Sequence, residues 1–351
     1  MSISRINKLP LDWPPGHHMR MGMEELMGIR TRLTEALGIT VPILSAPMGF
    51  VAGGKLAAAV TAAGGLGIIG GGYGDADWLD REFAAAGNAR VGCGFITWSL
   101  AKQPDLLTHA LAHAPAALML SFGDPTPFAP AIRAAGSRLI CQVQTIEHTR
   151  AALDCGADII VAQGSEAGGH GATRATLTLV PEIAGLLARE SPATLLVAAG
   201  GIADGRGLAA SLMLGADGVM LGSRLWASPE ALVHPNHQRA ALAANGDGTI
   251  RQRSADIARG YDWPEEFTGR VLRTAFVARW HGREEEHRAI AEAARPEYLA
   301  AVAEGQTEES GVFVGEAIGL MRDVSPAAEI LARVTEEAEA LLRQGATKFV
   351  V

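Results

Sequence analysis

The chain has 351 residues, of which 48% are hydrophobic and 19% are charged, so it is long and apolar enough to bury a sizeable core. Acidic residues outnumber basic residues by 38 to 30 and give a formal charge of −8, which argues against a protein that binds the phosphate backbone of DNA or RNA. Three cysteines without a CxxC pair exclude an even disulfide framework and favour a reducing compartment.

The sequence carries no pattern typical of a secretory leader or a membrane span. The N-terminal segment has no apolar stretch after its basic residues, and no run of eighteen consecutive apolar residues occurs in the chain. A transmembrane helix needs a run of about that length. We therefore expect a soluble, cytoplasmic protein that does not interact with membranes.

One pattern repeats from residue 41 to about residue 223. A short apolar or β-branched run ends in small or polar residues, and an amphipathic segment rich in Ala and Leu follows it. This is typical of a strand followed by a helix, and the repeat length of a little more than twenty residues fits such a unit. The pattern predicts eight strands, which are Pro42–Ala46, Leu66–Gly70, Arg90–Phe95, Ala117–Ser121, Arg138–Gln142, Asp158–Ala162, Thr194–Ala198 and Gly218–Leu221.

Eight successive strand–helix units close most economically into a (β/α)₈ TIM barrel, an α/β fold that leaves no unpaired strand edge. An open, doubly wound sheet is the alternative. In its dinucleotide-binding form that fold carries a Gly-x-Gly-x-x-Gly loop after the first strand, whereas Ser-Ala-Pro-Met-Gly stands there in this chain. The sequence therefore favours the barrel.

The repeat stops after the eighth strand. Residues 229–312 are charged and show helices without intervening strands, so we interpret them as a helical insertion. Residues 313–351 include an amphipathic segment at Ala327–Leu342, which we expect to complete the outer ring of helices. The barrel then comprises residues 1–228, with an N-terminal extension over residues 1–30.

Two glycine-containing loops indicate a phosphate site. They follow the seventh and eighth predicted strands, at Ala199–Arg206 and Leu221–Arg224. Glycine lets backbone N–H groups approach an anion closely, and phosphate sites of TIM barrels commonly lie after these two strands. The alternative interpretation is that these glycines only make tight turns.

The loop after the sixth strand contains the best candidate for a catalytic residue. Residues 163–171 read Gln-Gly-Ser-Glu-Ala-Gly-Gly-His-Gly, so His170 lies among glycines at the predicted mouth of the barrel. Small neighbours allow a ligand to approach the imidazole, which can hold or release a proton near neutral pH. A lone histidine is more often structural, but a histidine of the core seldom lies in a glycine-rich loop.

Five motifs, taken together and in this order, resemble the nitronate monooxygenase family, formerly called 2-nitropropane dioxygenases. The resemblance extends from about residue 30 to residue 227. It implies an FMN-dependent TIM barrel with a helical substrate domain inserted late in the chain. The motifs are Pro42–Gly49, Gly64–Gly67, Gln163–Gly164 with Glu166–His170, Ala199–Ala203, and Gly222–Ser223.

The resemblance implies roles for individual residues. His170 matches the family's catalytic histidine, Gln142 is expected to face the flavin ring, and Met48 is expected to lie close to it. In Gly92–Phe95 we align Gly94 with an Asn of many relatives, which removes a side-chain hydrogen bond to the cofactor. The full set of expected FMN-binding residues is Ala46, Pro47, Met48, Gly94, Gln142, Gln163, Gly168, Gly200, Gly201, Met220, Leu221, Gly222 and Ser223.

The implied reaction converts a nitronate, or a nitroalkane, and O₂ to a carbonyl compound and nitrite, with the flavin supplying the redox chemistry. His170 then either removes the α-proton of a neutral nitroalkane or, as imidazolium, stabilises the anionic nitronate. The residues leave both roles open.

Three other functions are the alternatives to this one. A reductase on the same scaffold would pass hydride from NAD(P)H through FMN to a quinone or an enoyl thioester. An inosine monophosphate dehydrogenase would need a nucleophilic cysteine in the loop after the sixth strand, and residues 163–171 contain none. A non-catalytic flavin-binding scaffold is disfavoured by the intact Glu166–His170 motif.

The remaining histidines, cysteines and tryptophans have simpler interpretations. His17, His18, His281 and His287 are not expected to bind a metal, because they lie in an irregular segment or beside a charged run. The cysteines are expected to be small buried hydrophobes. Trp263 and Trp280 are expected to pack within the insertion; the alternative is that they form a lid over the flavin.

Barrels of this size often pair, so a homodimer is the assembly we expect.

Overall fold

A computed structural model describes residues 28–349. The predicted N-terminal extension up to residue 27, including His17 and His18, lies outside these residues. The described part contains fifteen α-helices: α1 (Arg32–Leu37), α2 (Gly54–Ala62), α3 (Ala76–Ala86), α4 (Thr97–Leu100), α5 (Asp105–Ala112), α6 (Ala129–Ala134), α7 (Ile146–Asp154), α8 (Thr176–Glu190), α9 (Gly205–Met213), α10 (Ser223–Trp226), α11 (Pro235–Ala243), α12 (Ser254–Arg259), α13 (Ala275–Trp280), α14 (Glu284–Ala303) and α15 (Ala327–Phe349).

Eleven β-strands accompany these helices between residues 28 and 349. They are β1 (Ile43–Ser45), β2 (Ile68–Gly72), β3 (Gly92–Ile96), β4 (Ala117–Ser121), β5 (Arg138–Val143), β6 (Ile159–Gln163), β7 (Gly169–Gly171), β8 (Leu195–Ala199), β9 (Gly218–Leu221), β10 (Thr249–Gln252) and β11 (Thr268–Leu272).

Eight of the strands form the predicted barrel. Their order is β1-β9-β8-β6-β5-β4-β3-β2, and every neighbouring pair is parallel. A parallel bridge between Leu44 and Leu66 joins the two ends of the sheet. The (β/α)₈ prediction is therefore confirmed, and each of the eight predicted strands lies within two residues of an observed one.

The barrel strands are buried on both faces, which explains why they read as continuous apolar runs in the sequence. Alternate residues point in opposite directions. In β9, Met220 belongs to the cluster inside the barrel, whereas its neighbour Leu221 packs in the layer between strands and outer helices. Leu33 and Leu37 of α1 join the inner cluster and close the amino-terminal end of the barrel.

Helix α15 completes the outer ring, as the periodicity of its apolar residues predicted. It packs against α9 and α2 and buries Ile330, Leu331, Val334 and Ala338. The Glu337 carboxylate accepts a hydrogen bond of 2.8 Å from the backbone N–H of Gly205 at the start of α9. The end of the chain therefore joins the first and last parts of the barrel.

The expectation that the insertion contains helices only is wrong. Strands β10 and β11 pair antiparallel, and β11 also pairs with β7 of the barrel loop, where Gly269 lies opposite His170. These strands are four and five residues long and contain Arg251 and Arg270, which bond to backbone oxygens of the barrel loop. Their charge hid the strand pattern in the sequence.

The helices within residues 28–349 include none with the length and apolar character of a membrane span.

Several broader expectations are not tested by the structure. The homodimer, the cytoplasmic location and the domain boundaries at residues 228 and 312 stay predictions.

Candidate active site

A cavity of about 970 Å³ opens where the carboxyl ends of the barrel strands meet the insertion. Its volume lies at the upper end of the range of about 300–1,000 Å³ that is usual for ligand sites. Most of the predicted site residues line it, although they come from five separate strands and loops. These are Ala46, Met48, Gln142, Gln163, Gly168, His170, Gly200, Gly201, Met220, Gly222 and Ser223.

Three predicted residues do not line this cavity, namely Pro47, Gly94 and Leu221. A Cβ added at Gly94 would lie 2.6 Å from the Pro47 ring, so these two residues pack against each other, and an Asn would fit at position 94 only if its neighbours moved. Leu221 is fully buried in the outer layer. Eleven of the fourteen predicted site residues therefore line the cavity, and the contacts of all fourteen with a cofactor or substrate stay predictions.

One end of the cavity presents unpaired backbone donors. Among the described residues, the N–H groups of Gly201, Gly222 and Ser223 have no hydrogen-bond acceptor. Gly200 and Gly201 have φ angles of 100° and 74°, which favour glycine, and a Cβ at Gly200 would lie 2.8 Å from the Gly164 carbonyl oxygen. These residues are half-buried at the cavity wall, and three free N–H donors close together are suited to an anion such as a phosphate.

Gln142 and Gln163 line the cavity at the ends of β5 and β6, and the buried Gln144 lies behind them. The Oε1 atom of Gln163 accepts hydrogen bonds from the Nε2 atoms of Gln142 at 3.2 Å and Gln144 at 3.0 Å. Sequence reasoning missed Gln144, although its spacing of two residues from Gln142 places it on the same face of the strand. The pair of bonds fixes the orientation of the Gln163 amide at the cavity wall.

His170 lies on β7 and points to a partner from the insertion. Its Nε2 atom is 2.8 Å from Oδ2 of Asp256 on α12, and its ring stacks on Trp263 with centroids 3.4 Å apart and planes 4° apart. Both side chains of the pair are almost completely buried, at 9% and 4% exposure. Neither Asp256 nor the contact of Trp263 with His170 was predicted, because no local pattern links residues so far apart in sequence.

The surroundings of His170 determine its protonation. Burial lowers the pKa of the imidazole below its ordinary value of 6.5, and the Asp256 carboxylate partly offsets that effect. Because a carboxylate only accepts hydrogen bonds, Nε2 carries the proton of the neutral ring, and the lone pair is on Nδ1. His170 is therefore a neutral group that can accept a proton at Nδ1 at pH 7.

Further aromatic side chains pack behind the Trp263 ring that covers His170. Trp263 donates from Nε1 to the hydroxyl of Tyr73 at 3.0 Å, and Tyr73 stacks on Tyr261 with ring centroids 3.6 Å apart. Burial raises the pKa of the Tyr73 hydroxyl, so it stays protonated. Trp263 packs within the insertion, as expected, and also covers His170.

The loop before His170 is held from three directions. The Glu166 carboxylate accepts hydrogen bonds from the backbone N–H and hydroxyl of Thr176 at the start of α8. The Ser165 carbonyl oxygen accepts from Arg251 at 3.1 Å and Arg270 at 3.0 Å. Burial, together with the nearby charge of Arg270, lowers the pKa of Arg251 to about 10. Because Thr176 belongs to the barrel and both arginines belong to the insertion, the two parts together fix the position of the catalytic candidate.

The other residues singled out in the sequence lie elsewhere. Cys93, Cys141 and Cys155 are buried and unpaired, as predicted. His287 stacks on Trp280. In the described part of the chain, the one group of side chains with metal-ligand geometry is Asp80 with His109 and His113, where both histidines hydrogen-bond to the Asp80 carboxylate outside the cavity.

Comparison with known proteins identifies the family. The model of the nitronate monooxygenase family matches residues 30–92 and 99–337 of this chain. The chain belongs to the nitronate monooxygenase family.

Individual relatives agree with this assignment. The nitronate monooxygenase of Neurospora crassa is 32% identical to this chain over an alignment of length 349, and that alignment covers 86% of this chain and 90% of that protein. The structure of FabK from Thermotoga maritima superposes with a TM-score of 0.79 at 30% identity, covering 91% of this chain and 99% of the other. A Mycobacterium tuberculosis protein named as a dehydrogenase of a hydroxy-methyl-oxo-octahydro-indene carboxyl-CoA is 27% identical, over 89% of this chain and 97% of its own length.

The pairing of His170 with Asp256 generates a prediction that needs no substrate. In this member of the nitronate monooxygenase family, replacing Asp256 with Asn should lower the pKa of His170 further, because the carboxylate stabilises the imidazolium. The measurement is an NMR titration of the histidine ring protons, with H170N used to assign the signal. D247N changes an exposed Asp of the same insertion and should leave the titration unchanged, and an unchanged or higher pKa in D256N would contradict the assignment.

Proposed function

We propose that this protein is an FMN-dependent nitronate monooxygenase, which converts alkyl nitronates, and through them nitroalkanes, together with O₂ to carbonyl compounds and nitrite. The observation that carries the proposal is the position of a neutral, carboxylate-paired His170 in a cavity whose other end presents unpaired backbone donors. Membership of the nitronate monooxygenase family supports it.

The cavity residues fit FMN by their chemistry. Gly201, Gly222 and Ser223 offer three N–H donors to a phosphate, and the apolar Ala46, Met48 and Met220 line the wall beside them. Gln142 and Gln163 supply amide groups of the kind that bond to the polar edge of a flavin ring. When bound, FMN supplies the redox chemistry by which the nitronate reacts with O₂.

His170 prepares the substrate. With a neutral nitroalkane, Nδ1 takes the α-proton, the C–H electron pair forms the C=N bond, and the negative charge moves to the nitro oxygens. The imidazolium that results is stabilised by Asp256, while stacking on Trp263 holds the ring plane. Because the pKa of His170 is below 6.5, the base is present at pH 7 and is lost only as the pH falls through that lowered value.

A second candidate function is reduction or dehydrogenation of a thioester by the same cofactor. The observation in its favour is the similarity to the Mycobacterium tuberculosis protein named as a carboxyl-CoA dehydrogenase. Electrons would then come from NAD(P)H or from the thioester rather than from a nitronate. The family match and the catalytic histidine fit both functions. The identity of the electron donor therefore distinguishes the monooxygenase from the thioester enzyme.

An anaerobic visible spectrum tests the proposed function. Adding an alkyl nitronate to the purified, FMN-loaded protein should change the flavin absorbance, whereas NADH and NADPH should change it little. Rapid bleaching by either nicotinamide with no response to nitronate would overturn the proposal in favour of the reductase. A purified protein that neither contains flavin nor binds added FMN would instead point to a scaffold role.

The role of His170 gives a separate prediction. H170N should keep bound FMN but lower kcat/KM for a neutral nitroalkane by about 10²-fold or more, the usual contribution of a general base. It should change kcat/KM for a preformed nitronate much less, since that substrate has already lost its proton. H281N replaces an exposed histidine of the insertion and serves as the matched control. Equal losses with both substrates would exclude His170 as the base.

A further inference from the structure

Arg259 is the last residue of α12, and its side chain lines the cavity. Aromatic rings surround the guanidinium. Its central carbon lies 5.0 Å from the ring centre of Tyr261, 5.3 Å from that of Phe313 and 5.7 Å from that of Tyr73. These distances fall within the range of cation–π contacts. Arg259 is therefore a fixed positive charge in a largely apolar wall.

Arg259 has no polar partner among the described residues. Within residues 28–349 its guanidinium makes no hydrogen bond and no ion pair within 4.0 Å, and the Asp256 carboxylate, one helical turn earlier, attracts its charge only at longer range. That carboxylate directs Oδ2 to His170 instead. Other enclosed arginines have acceptors, since Arg224 pairs with Asp323 and Arg251 donates to the Ser165 carbonyl oxygen. Asp256 supplies charge at longer range, but the enclosed N–H donors of Arg259 have no acceptor in the described part of the chain. Unmet donors of this kind are costly, so a ligand with anionic oxygens can fill them.

Arg259 and His170 face the same chamber. The Phe313 ring lies 5.6 Å from the His170 ring, measured between centroids, and it is also one of the three rings around Arg259. The wall beyond them is mainly apolar and includes Leu232, Leu299 and Val302. A ligand in this chamber therefore meets a proton acceptor, a planar cation and an apolar surface.

We infer that Arg259 binds the negatively charged group of the substrate, which is either the pair of nitronate oxygens or a carboxylate carried by the same molecule. This inference rests on the proposed function. A planar guanidinium can donate two parallel hydrogen bonds to two oxygens of a planar anion. When His170 takes the α-proton of a nitroalkane, the charge that appears on the nitro oxygens is neutralised by Arg259, so the enzyme favours the anionic form of its substrate.

The first test compares substrates of different charge in R259M and R259K. R259M should raise KM for an alkyl nitronate by about 10- to 100-fold, the usual effect of losing a hydrogen bond to a charged group, and change KM for a neutral nitroalkane by less than about 3-fold. R259K should be intermediate, because lysine keeps the charge but not the two parallel donors. R288M removes an exposed arginine of α14 and is the control.

A carboxylate-bearing nitronate separates the two sources of negative charge. If Arg259 binds the nitronate oxygens, R259M should raise KM equally for this substrate and for a simple alkyl nitronate. A loss confined to the carboxylate-bearing substrate assigns Arg259 to the carboxylate. An unchanged KM for both substrates in a folded R259M overturns the inference.

The second test does not depend on turnover. Nitrate is planar, carries one negative charge and does not react, so it serves as the probe. Its binding to the FMN-loaded protein is measured by tryptophan fluorescence, because Trp263 lies against His170. The wild-type protein and R288M should bind nitrate with the same Kd, R259K more weakly and R259M at least 10-fold more weakly.

The two measurements separate the inference from the proposed function. A wild-type protein that turns over no nitronate, while its nitrate binding still requires Arg259, would refute the proposed function and retain the anion site. Normal turnover with nitrate binding that is equal in wild type and R259M would refute the anion site and retain the function. If R259M does not fold, R259K with an unchanged Kd and KM is the outcome that overturns the inference.

Discussion

The hydrogen bond between His170 and Asp256 joins the two parts from which the site is built. His170 comes from the loop after β6, and Asp256 comes from a helix of the insertion. The barrel alone supplies a histidine among glycines, a segment with little to hold its ring in place. The insertion supplies the carboxylate, the stacking Trp263 and the strand β11 that pairs with β7. Orientation and protonation of the imidazole therefore depend on the insertion being in position.

The other residues of the site also come partly from the barrel and partly from the insertion. The barrel ends provide backbone donors and amide groups, which are fixed by strand geometry and suit a cofactor that does not change between substrates. The insertion provides Tyr261, Trp263 and Arg259, which lie with Tyr73 of the barrel on the His170 side of the cavity. A relative with a different insertion could keep the cofactor site and alter the substrate, which agrees with relatives of this chain bearing names for different reactions.

Much of the barrel could be predicted from the sequence, because strands buried on both faces leave unbroken apolar runs and the helices between them have regular lengths. His170 and the glycine loops could be predicted for a similar reason, since each motif is contiguous. The strands β10 and β11 were missed because they are short and contain few apolar residues, with Arg251 and Arg270 at their centres. Asp256, Gln144 and the unpaired Arg259 were missed because their importance lies in contacts across the fold. The packing of the Leu221 side chain away from the cavity could not be predicted, because a motif does not say which way a side chain points.

The central claim is that His170 and Asp256 act as one unit, and a double-mutant cycle tests it most directly. The measurement is kcat/KM for a neutral nitroalkane in wild type, H170N, D256N and the double variant, each loaded with FMN. If Asp256 acts through His170, D256N lowers kcat/KM in the wild-type background and has almost no further effect once His170 is replaced. Losses that multiply independently in the double variant would contradict the account.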